Sequence, residues 1–327
     1  MDPNKSRQEA LLTVLLPVYG RATYLENAVS SVLGQGDREW RLLLADDGSD
    51  LVTLSELESW TAKDERIKLK RRSRNLGLFA NLNAALEEIK TPWLLLLCSD
   101  DCLELDALEK LSNLIECYPE CDLVLSSYRS IDEVGAERCD VNGFFYDHFA
   151  PSTAVVPQGE LLAPLLRFGS VNGNITGMLI RRELFVRTGP WRSDWSQSAD
   201  WEWLVRATQA TPILINRDPI ARVRVHGAQL SVRNRQLQRE TEESLLVLRE
   251  LQRLLPGHRR WAAHHAQFLL WNACKAAPRV GLQATLRQFG LIHKHVGLLA
   301  TVLAFLRTVP ARWCIRGSDQ PLPPPPA

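Results

Sequence analysis

Trp93-Leu94-Leu95-Leu96-Leu97-Cys98-Ser99-Asp100-Asp101 is the stretch on which the fold turns. Five consecutive apolar residues read as a strand covered on both faces, the pattern of a parallel sheet. The run ends abruptly in two carboxylates, and open α/β sheets bind their ligands at the carboxyl ends of the strands. Paired carboxylates there call for a positive partner. A metal ion with a phosphate-bearing ligand is one account, and a solvated Asp-Asp helix cap is the other.

The same pattern repeats on either side. Leu11–Leu16 is a short apolar strand closed by Pro17, and the spacing of Leu25, Ala28, Val29, Val32 and Leu33 predicts a helix over Tyr24–Leu33. Arg41–Ala45 is a second buried strand, and the helix Leu51–Ala62 follows it with Ser49 or Asp50 as N-cap. Ile67–Lys70 is a third strand, Leu78, Leu82, Ala85, Leu86 and Ile89 mark a helix, Leu105–Cys117 another, and Leu123–Ser127 a further strand. Strands alternating with helices imply βαβ units and a mixed, mostly parallel sheet flanked by helices.

From Ile131 to Gly169 the pattern is irregular; Thr176–Arg181 and Ile220–Val225 read as strands and Trp201–Thr208 as a helix. Beyond Ser231 the character changes to long helices at Gln236–Leu254, Trp261–Lys275 and Leu282–Leu306. The expected organisation is an N-terminal lead (1–10), an α/β domain (11–232), a C-terminal helical extension (233–315) with its boundary near Arg233, and a disordered proline-rich tail (316–327). Val296–Leu306 is apolar but short of the ~20 residues that span a bilayer. A buried helix is the first reading of it, and an interfacial helix seated on a membrane the second.

The 327 residues are 45% hydrophobic and 24% charged, which suits a globular protein. A net charge of +1 argues against a nucleic-acid partner. The local basic run Arg66–Arg74 carries no interleaved aromatic residues and reads as a solvated strand edge. Seven scattered cysteines, with no apolar core in Met1–Glu9, point to a reducing cytoplasm. Cys98/Cys102 and Cys117/Cys121 have zinc-like spacing, but the first pair brackets the aspartates and the second sits at a helix end, so zinc is set aside.

Three strands deliver polar or aromatic groups to one rim. The first ends in Pro17-Val18-Tyr19, the second in Asp46-Asp47-Gly48-Ser49, and the fourth in Ser99-Asp100-Asp101. Tyr19 offers a face for a nucleobase, a carboxylate accepts from base N–H or ribose hydroxyls, and Gly48 allows a positive φ or close backbone approach. No Gly-x-Gly-x-x-Gly follows a strand, which argues against a dinucleotide dehydrogenase.

Taken in order, Pro17-Val18-Tyr19, Asp46-Asp47-Gly48-Ser49-Asp50, Asn75-Leu76-Gly77, Ser99-Asp100-Asp101 and Ala199-Asp200-Trp201-Glu202-Trp203 resemble the motif series of family 2 glycosyltransferases, inverting enzymes of the GT-A fold. The resemblance covers roughly Leu11–Ser231. It implies a Rossmann-like GT-A sheet and a nucleotide site using Pro17, Tyr19, Asp46, Asp47, Asn75 and Ser99. Asp100 matches the last aspartate of the Asp-x-Asp motif, a ligand of Mn²⁺ or Mg²⁺ on the donor diphosphate, with Asp101 as its support. His226, in Arg224-Val225-His226-Gly227, would lie near the same metal. Asp200 matches the general base, for which N-capping its helix is the alternative, and Trp191, Trp195 and Trp201 lie on the acceptor side.

The implied activity is a hexosyl transfer from a nucleotide-diphosphate sugar, UDP-sugars favoured, to a glycan or lipid-linked acceptor in cell-surface polysaccharide biosynthesis. The implied setting is cytoplasmic, with peripheral contact at the inner face of the membrane. Two departures from the pattern matter: Cys98 stands at the first aspartate of Asp-x-Asp, and Ala199 at the frequent glutamate before the base. They motivate the alternative of a non-catalytic nucleotide-sugar-binding or scaffold homologue. A nucleotidyltransferase would want a Gly-rich basic loop after the first strand, and Pro17–Thr23 offers none.

Overall fold

The computed structural model describes residues 10–20, 23–36, 40–139, 146–230, 234 and 239–314. The lead up to residue 9, Arg233 and the proline-rich tail lie outside the described residues. The chain divides into two compact units: Met1–Gly159 with Asn172–Asp194 and Arg206–His226, and Glu160–Val171 with Trp195–Val205 and Gly227–Ala327.

The first unit is built on a ten-stranded sheet. Strand β1 (Leu12–Val18) leads to α1 (Leu25–Leu33), β2 (Trp40–Asp46), α2 (Leu51–Lys63), β3 (Ile67–Arg71), α3 (Leu78–Leu86), β4 (Trp93–Leu96) and β5 (Cys102–Leu103). Helix α4 (Ala107–Cys117) follows, then β6 (Leu123–Ile131), β7 (Glu137–Arg138) and β8 (Ala154–Val156). Helix α5 (Leu162–Phe168) precedes β9 (Met178–Arg181), α6 (Leu184–Thr188), α7 (Ala199–Thr208) and β10 (Ile213–Arg224). The sheet order is β3-β2-β1-β4-β9-β6-β10-β5, with β7 on β6 and β8 on β10. Strands β3, β2, β1, β4, β6 and β10 run in one direction, and β9 runs against its neighbours β4 and β6. Six carboxyl ends therefore open on one side of the sheet.

Every residue of β1 and β4 is buried, as continuous apolar runs require of central strands. Helix α1 buries Leu25, Ala28, Val29 and Val32, the face its spacing predicts. Asp50 is the N-cap of α2, its carboxylate accepting from the Thr53 N–H at 2.8 Å.

Three expected boundaries are corrected. Pro17 does not close β1 but lies inside it, opposite Ala45. Strand β10 begins at Ile213 rather than Ile220, because Asn216, Arg217, Asp218 and Pro219 are accommodated where its register on β6 shifts between Asn216 and Ala221. The Leu282–Leu306 helix is two helices bent by 103°, with Gly297 at φ +99° in the break.

The second unit contains α5, the start of α7, and the helices α8 (Arg239–Leu254), α9 (Arg259–Val280), α10 (Leu282–His295) and α11 (Leu298–Cys314). Its core includes Leu245, Leu248 and Leu251 of α8, Ala262, Ala266 and Leu269 of α9, and Ile292 of α10. Among the described residues no single helix is long and apolar enough to cross a membrane.

Gly48 shows how tightly the rim of the sheet is built. Its φ is +79°, and a Cβ there would stand 2.8 Å from the Arg74 carbonyl carbon and 3.0 Å from the Asn75 nitrogen. The turn after β2 therefore seats directly on the backbone before α3. Gly48→Ala should cost about 1–3 kcal/mol from the left-handed backbone alone, with the backbone clash added. Urea denaturation checks this: an unchanged midpoint would contradict the packing described.

Candidate active site

At the carboxyl end of β4, Asp100 and Asp101 separate by the face they take. Asp101 is fully buried; its Oδ2 accepts from the Thr176 hydroxyl at 2.5 Å and its Oδ1 from the Arg224 N–H at 2.8 Å. Burial, and then the charge of Asp100, push the Asp101 carboxyl well above the ordinary carboxylate range. Asp100 keeps 28% of its side chain exposed, and its Oδ2 lies 3.1 Å from His226 Nε2. Cys98 is half-buried, its N–H donating to Thr176 Oγ1 at 3.0 Å.

Arg224 ties this corner together. Its guanidinium donates to the carbonyls of Asp100 (3.1 Å), Asp132 (2.9 Å) and Glu133 (3.2 Å), and lies 4.2 Å from the centre of the Tyr24 ring. Tyr24 in turn packs against His226, with ring centroids 5.4 Å apart. Neither Arg224 nor Tyr24 was among the expected site residues. Arg224 stands in the Arg-Val-His motif, which was the available signal.

The donor set fits a divalent cation. Cys98, Asp100 and Asp101 present ligand atoms within 4.8 Å of one another. Asp100 Oδ2 and His226 Nε2 stand at hydrogen-bond distance, 3.1 Å, a separation that two adjacent ligands on an octahedral ion with bonds of ~2.1 Å would also have. Asp100 and His226 would hold the metal, while Asp101, with both oxygens engaged inside the fold, supports them.

The nucleotide-side residues are less uniform than expected. Tyr19 is 58% exposed, Asn75 is exposed and Ser99 half-buried, so all three reach the rim. Pro17 and Asp46 are buried. Asp46 Oδ1 accepts from the Ser49 N–H at 3.0 Å and its Oδ2 faces the Arg71 guanidinium at 3.5 Å, so it shapes its own turn. Asp47 is buried as well, accepting from the N–H groups of Leu76 (2.8 Å) and Gly77 (2.9 Å). Burial raises the Asp47 carboxyl while those two N–H groups oppose the shift. It thereby clips the Asn75-Leu76-Gly77 loop to the end of β2.

In the second unit, Asp200 lies in the first turn of α7 and is half-buried. Its Oδ2 accepts from the Ser170 hydroxyl at 3.1 Å. Burial pushes its carboxyl up to about 6, against the lowering effect of the Trp201 N–H and Ser170. The expected acceptor-side tryptophans are mostly packing residues. Trp201 is 3% exposed and lies 4.9 Å from His265, a ring that burial holds at about 4 and hence neutral. Trp191, in the first unit, is 2% exposed against Phe185 at 4.7 Å, its backbone clamped by Asn83. Trp195 alone of the three keeps appreciable surface.

Comparison with known proteins follows this geometry. The family model described as Glycosyl transferase family 2 matches residues 13–185. The putative teichuronic acid biosynthesis glycosyltransferase TuaG of Bacillus subtilis is 35% identical over 100 residues, 31% of this chain and 40% of that protein. An uncharacterized glycosyltransferase of Haemophilus influenzae is 34% identical over 103 residues, 32% of this chain and 41% of that protein. The chain thus spans about two fifths of the length of these curated relatives. Among solved structures, S. aureus TarS 1-349 in complex with UDP-GlcNAc superposes with a TM-score of 0.65 at 14% identity, covering 93% of this chain and 91% of that one. The mannosyltransferase PcManGT of Pyrobaculum calidifontis, in complex with GDP-Man and Mn²⁺, does so at 0.53 and 15% identity, covering 91% and 86%. The fold is that of GT-A glycosyltransferases. With over half of its length matched by the family model, and with the strand-end motifs in their family order, the chain belongs to glycosyl transferase family 2.

Proposed function

We propose that the protein is an inverting, metal-dependent glycosyltransferase. It moves a hexose from a nucleotide-diphosphate sugar to a hydroxyl of a glycan or lipid-linked acceptor in cell-surface polysaccharide assembly. The observation that carries this is the outward Asp100 beside His226, backed by the inward Asp101, at the sheet end where the family motifs converge. A UDP-sugar is favoured, because the TarS neighbour is in complex with UDP-GlcNAc; GDP-sugars are the next choice on the PcManGT complex.

In this reading Tyr19 stacks on the base, and Asn75 and Ser99 line the nucleotide rim. Asp47 acts on the nucleotide indirectly, through the loop that it holds. Asp100 and His226 hold Mn²⁺ or Mg²⁺, which when bound neutralises charge on the departing diphosphate. Asp200 takes the proton from the acceptor hydroxyl, so one in-line displacement inverts the anomeric centre without an enzyme nucleophile. A carboxyl at about 6 is a stronger base than an ordinary aspartate and is still largely ionised near neutrality. Cys98 supplies no fixed charge in its thiol form, so the metal corner relies on Asp100. Trp195 is the acceptor-side aromatic.

The test is direct. Purified protein with Mn²⁺ should turn over at least one of a panel of UDP- and GDP-sugars. Carboxylate is the active form of the base, so kcat/KM should fall as pH drops through about 6 and level off above it. Asp200→Asn should lose turnover by at least about 10²-fold while still binding donor. Donor binding without turnover, unaltered by Asp200→Asn, would instead support the non-catalytic alternative that Cys98 and Ala199 motivate.

We further propose a cytoplasmic location with peripheral contact at the inner face of the membrane. Leu282, Leu286, Leu299, Leu303 and Leu306 are exposed on α10 and α11, alongside exposed Arg287, His293 and Lys294. Sedimentation with anionic phospholipid vesicles should carry the protein down, and Leu299→Glu with Leu303→Glu should leave it in the supernatant. Equal sedimentation of both would remove the membrane assignment.

A further inference from the structure

Asp200 begins its helix on a backbone that does not support itself. The three residues before Ala199 carry consecutive N–H groups with no helical partner, and a single carboxylate from α8 takes all three. Glu243 Oε1 accepts from the Ser196 N–H at 2.8 Å and the Ser196 hydroxyl at 3.2 Å, and its Oε2 accepts from the N–H groups of Gln197 and Ser198, each at 2.8 Å. This is an anion nest whose anion belongs to the same chain. The neighbouring Ser244 hydroxyl meets the Ser198 hydroxyl at 3.1 Å. Asn234 closes the far side, donating to the Ser196 carbonyl at 2.7 Å and to Gln197 Oε1 at 3.0 Å.

We propose that Glu243 is a positioning residue for the catalytic base: it fixes the backbone of Ser196-Gln197-Ser198 and thereby the direction in which α7 presents Asp200. The proposal rests on the assignment of Asp200 as base. A carboxylate suits the task better than a neutral side chain. A glutamine has one acceptor oxygen in place of two, so its NH₂ would face at least one of the N–H donors, and an alanine would leave all three N–H groups unmet. The negative charge also reaches Asp200. The helices of this unit present Arg167 on α5, Glu243 on α8, His264 and His265 on α9, and Glu202 on α7 itself; of these, Glu243 bears on the Asp200 carboxyl and raises it. Burial is the larger cause of that rise, so Glu243 acts on the base chiefly by aiming it.

The full-length protein and its Glu243→Ala, Glu243→Gln and Asp200→Asn variants test this. Three readouts apply: amide hydrogen exchange over 196–198, the ¹³C carboxyl titration of Asp200, and hydrolysis of UDP-GlcNAc with Mn²⁺. Glu243→Ala should expose the three amides to exchange, move the Asp200 titration below that measured for the wild type, and lower kcat on the order of 10²-fold with donor KM unchanged. Formate should then occupy the vacated carboxylate position and restore all three readouts saturably, which a merely unfolded loop would not allow. Glu243→Gln should show part of the same loss without the cavity. Wild-type exchange and titration in a folded Glu243→Gln, or an effect of Glu243→Ala that formate leaves untouched, would overturn the proposal. Asp200→Asn separates the two assignments. Full turnover in that variant removes Asp200 as base, and the exchange at 196–198 still decides whether Glu243 holds the loop.

Discussion

The Asp101 carboxylate, buried between the Thr176 hydroxyl and the Arg224 N–H, is the constraint on which the sheet-end corner depends. It joins three strands at one point: the end of β4 that carries it, the start of β9 that follows Thr176, and the end of β10 at Arg224. A buried carboxylate without partners would be costly, and removing it would leave each of its two buried donors unmet at about 1–3 kcal/mol. The corner is thereby fixed from within. Because Asp101 faces inward, the turn that it anchors sends Asp100 outward, and because Arg224 is held in place, His226 two residues later meets Asp100. The placing of the outer pair, Asp100 beside His226, is a consequence of the structural role of the inner carboxylate.

The same division recurs at the end of β2. Asp46 and Asp47 look from the sequence like ligand-facing acids, yet their hydrogen bonds go to the chain, Asp46 Oδ1 to its own turn and both Asp47 oxygens to the Leu76 and Gly77 amides. What reaches the rim is what they hold in place: the exposed Asn75 and, from the neighbouring strand, Tyr19. Acidic strand ends in this protein build the platform as much as they decorate it. Glu243 extends the principle to the second unit, where a carboxylate far along the chain organises the turn before Asp200.

Much of this was legible in the sequence where a local pattern carried it. The apolar runs of β1, β2 and β4 and the periodicity of α1 announce themselves because burial on both faces leaves no room for polar residues. Strand β10 hid its first half behind Asn216-Arg217-Asp218-Pro219, since a bulge tolerates residues that a regular ladder excludes. The break at Gly297 was invisible in an apolar run whose composition suits either one helix or two. Asp100 and Asp200 stood out by motif, but which of two adjacent aspartates turns inward depends on Thr176 and Arg224, over seventy residues away. Trp191 and Trp201 are the plainest correction, because a tryptophan's type does not reveal whether its ring meets a sugar or a neighbouring helix.

If Asp101 builds the corner and Asp100 meets the ligand, thermal unfolding in the presence and absence of Mn²⁺ with UDP measures both roles at once. Ligands that bind the native state raise its melting temperature by mass action. Wild type should gain stability from Mn²⁺ with UDP. Asp100→Ala should melt as wild type does without ligand, within about 1 kcal/mol, and lose the gain. Asp101→Ala should be destabilised before any ligand is added, by about 2–6 kcal/mol for two orphaned donors. Equal intrinsic stability of the two variants, or a full Mn²⁺–UDP gain in Asp100→Ala, would contradict this division of roles between the two aspartates.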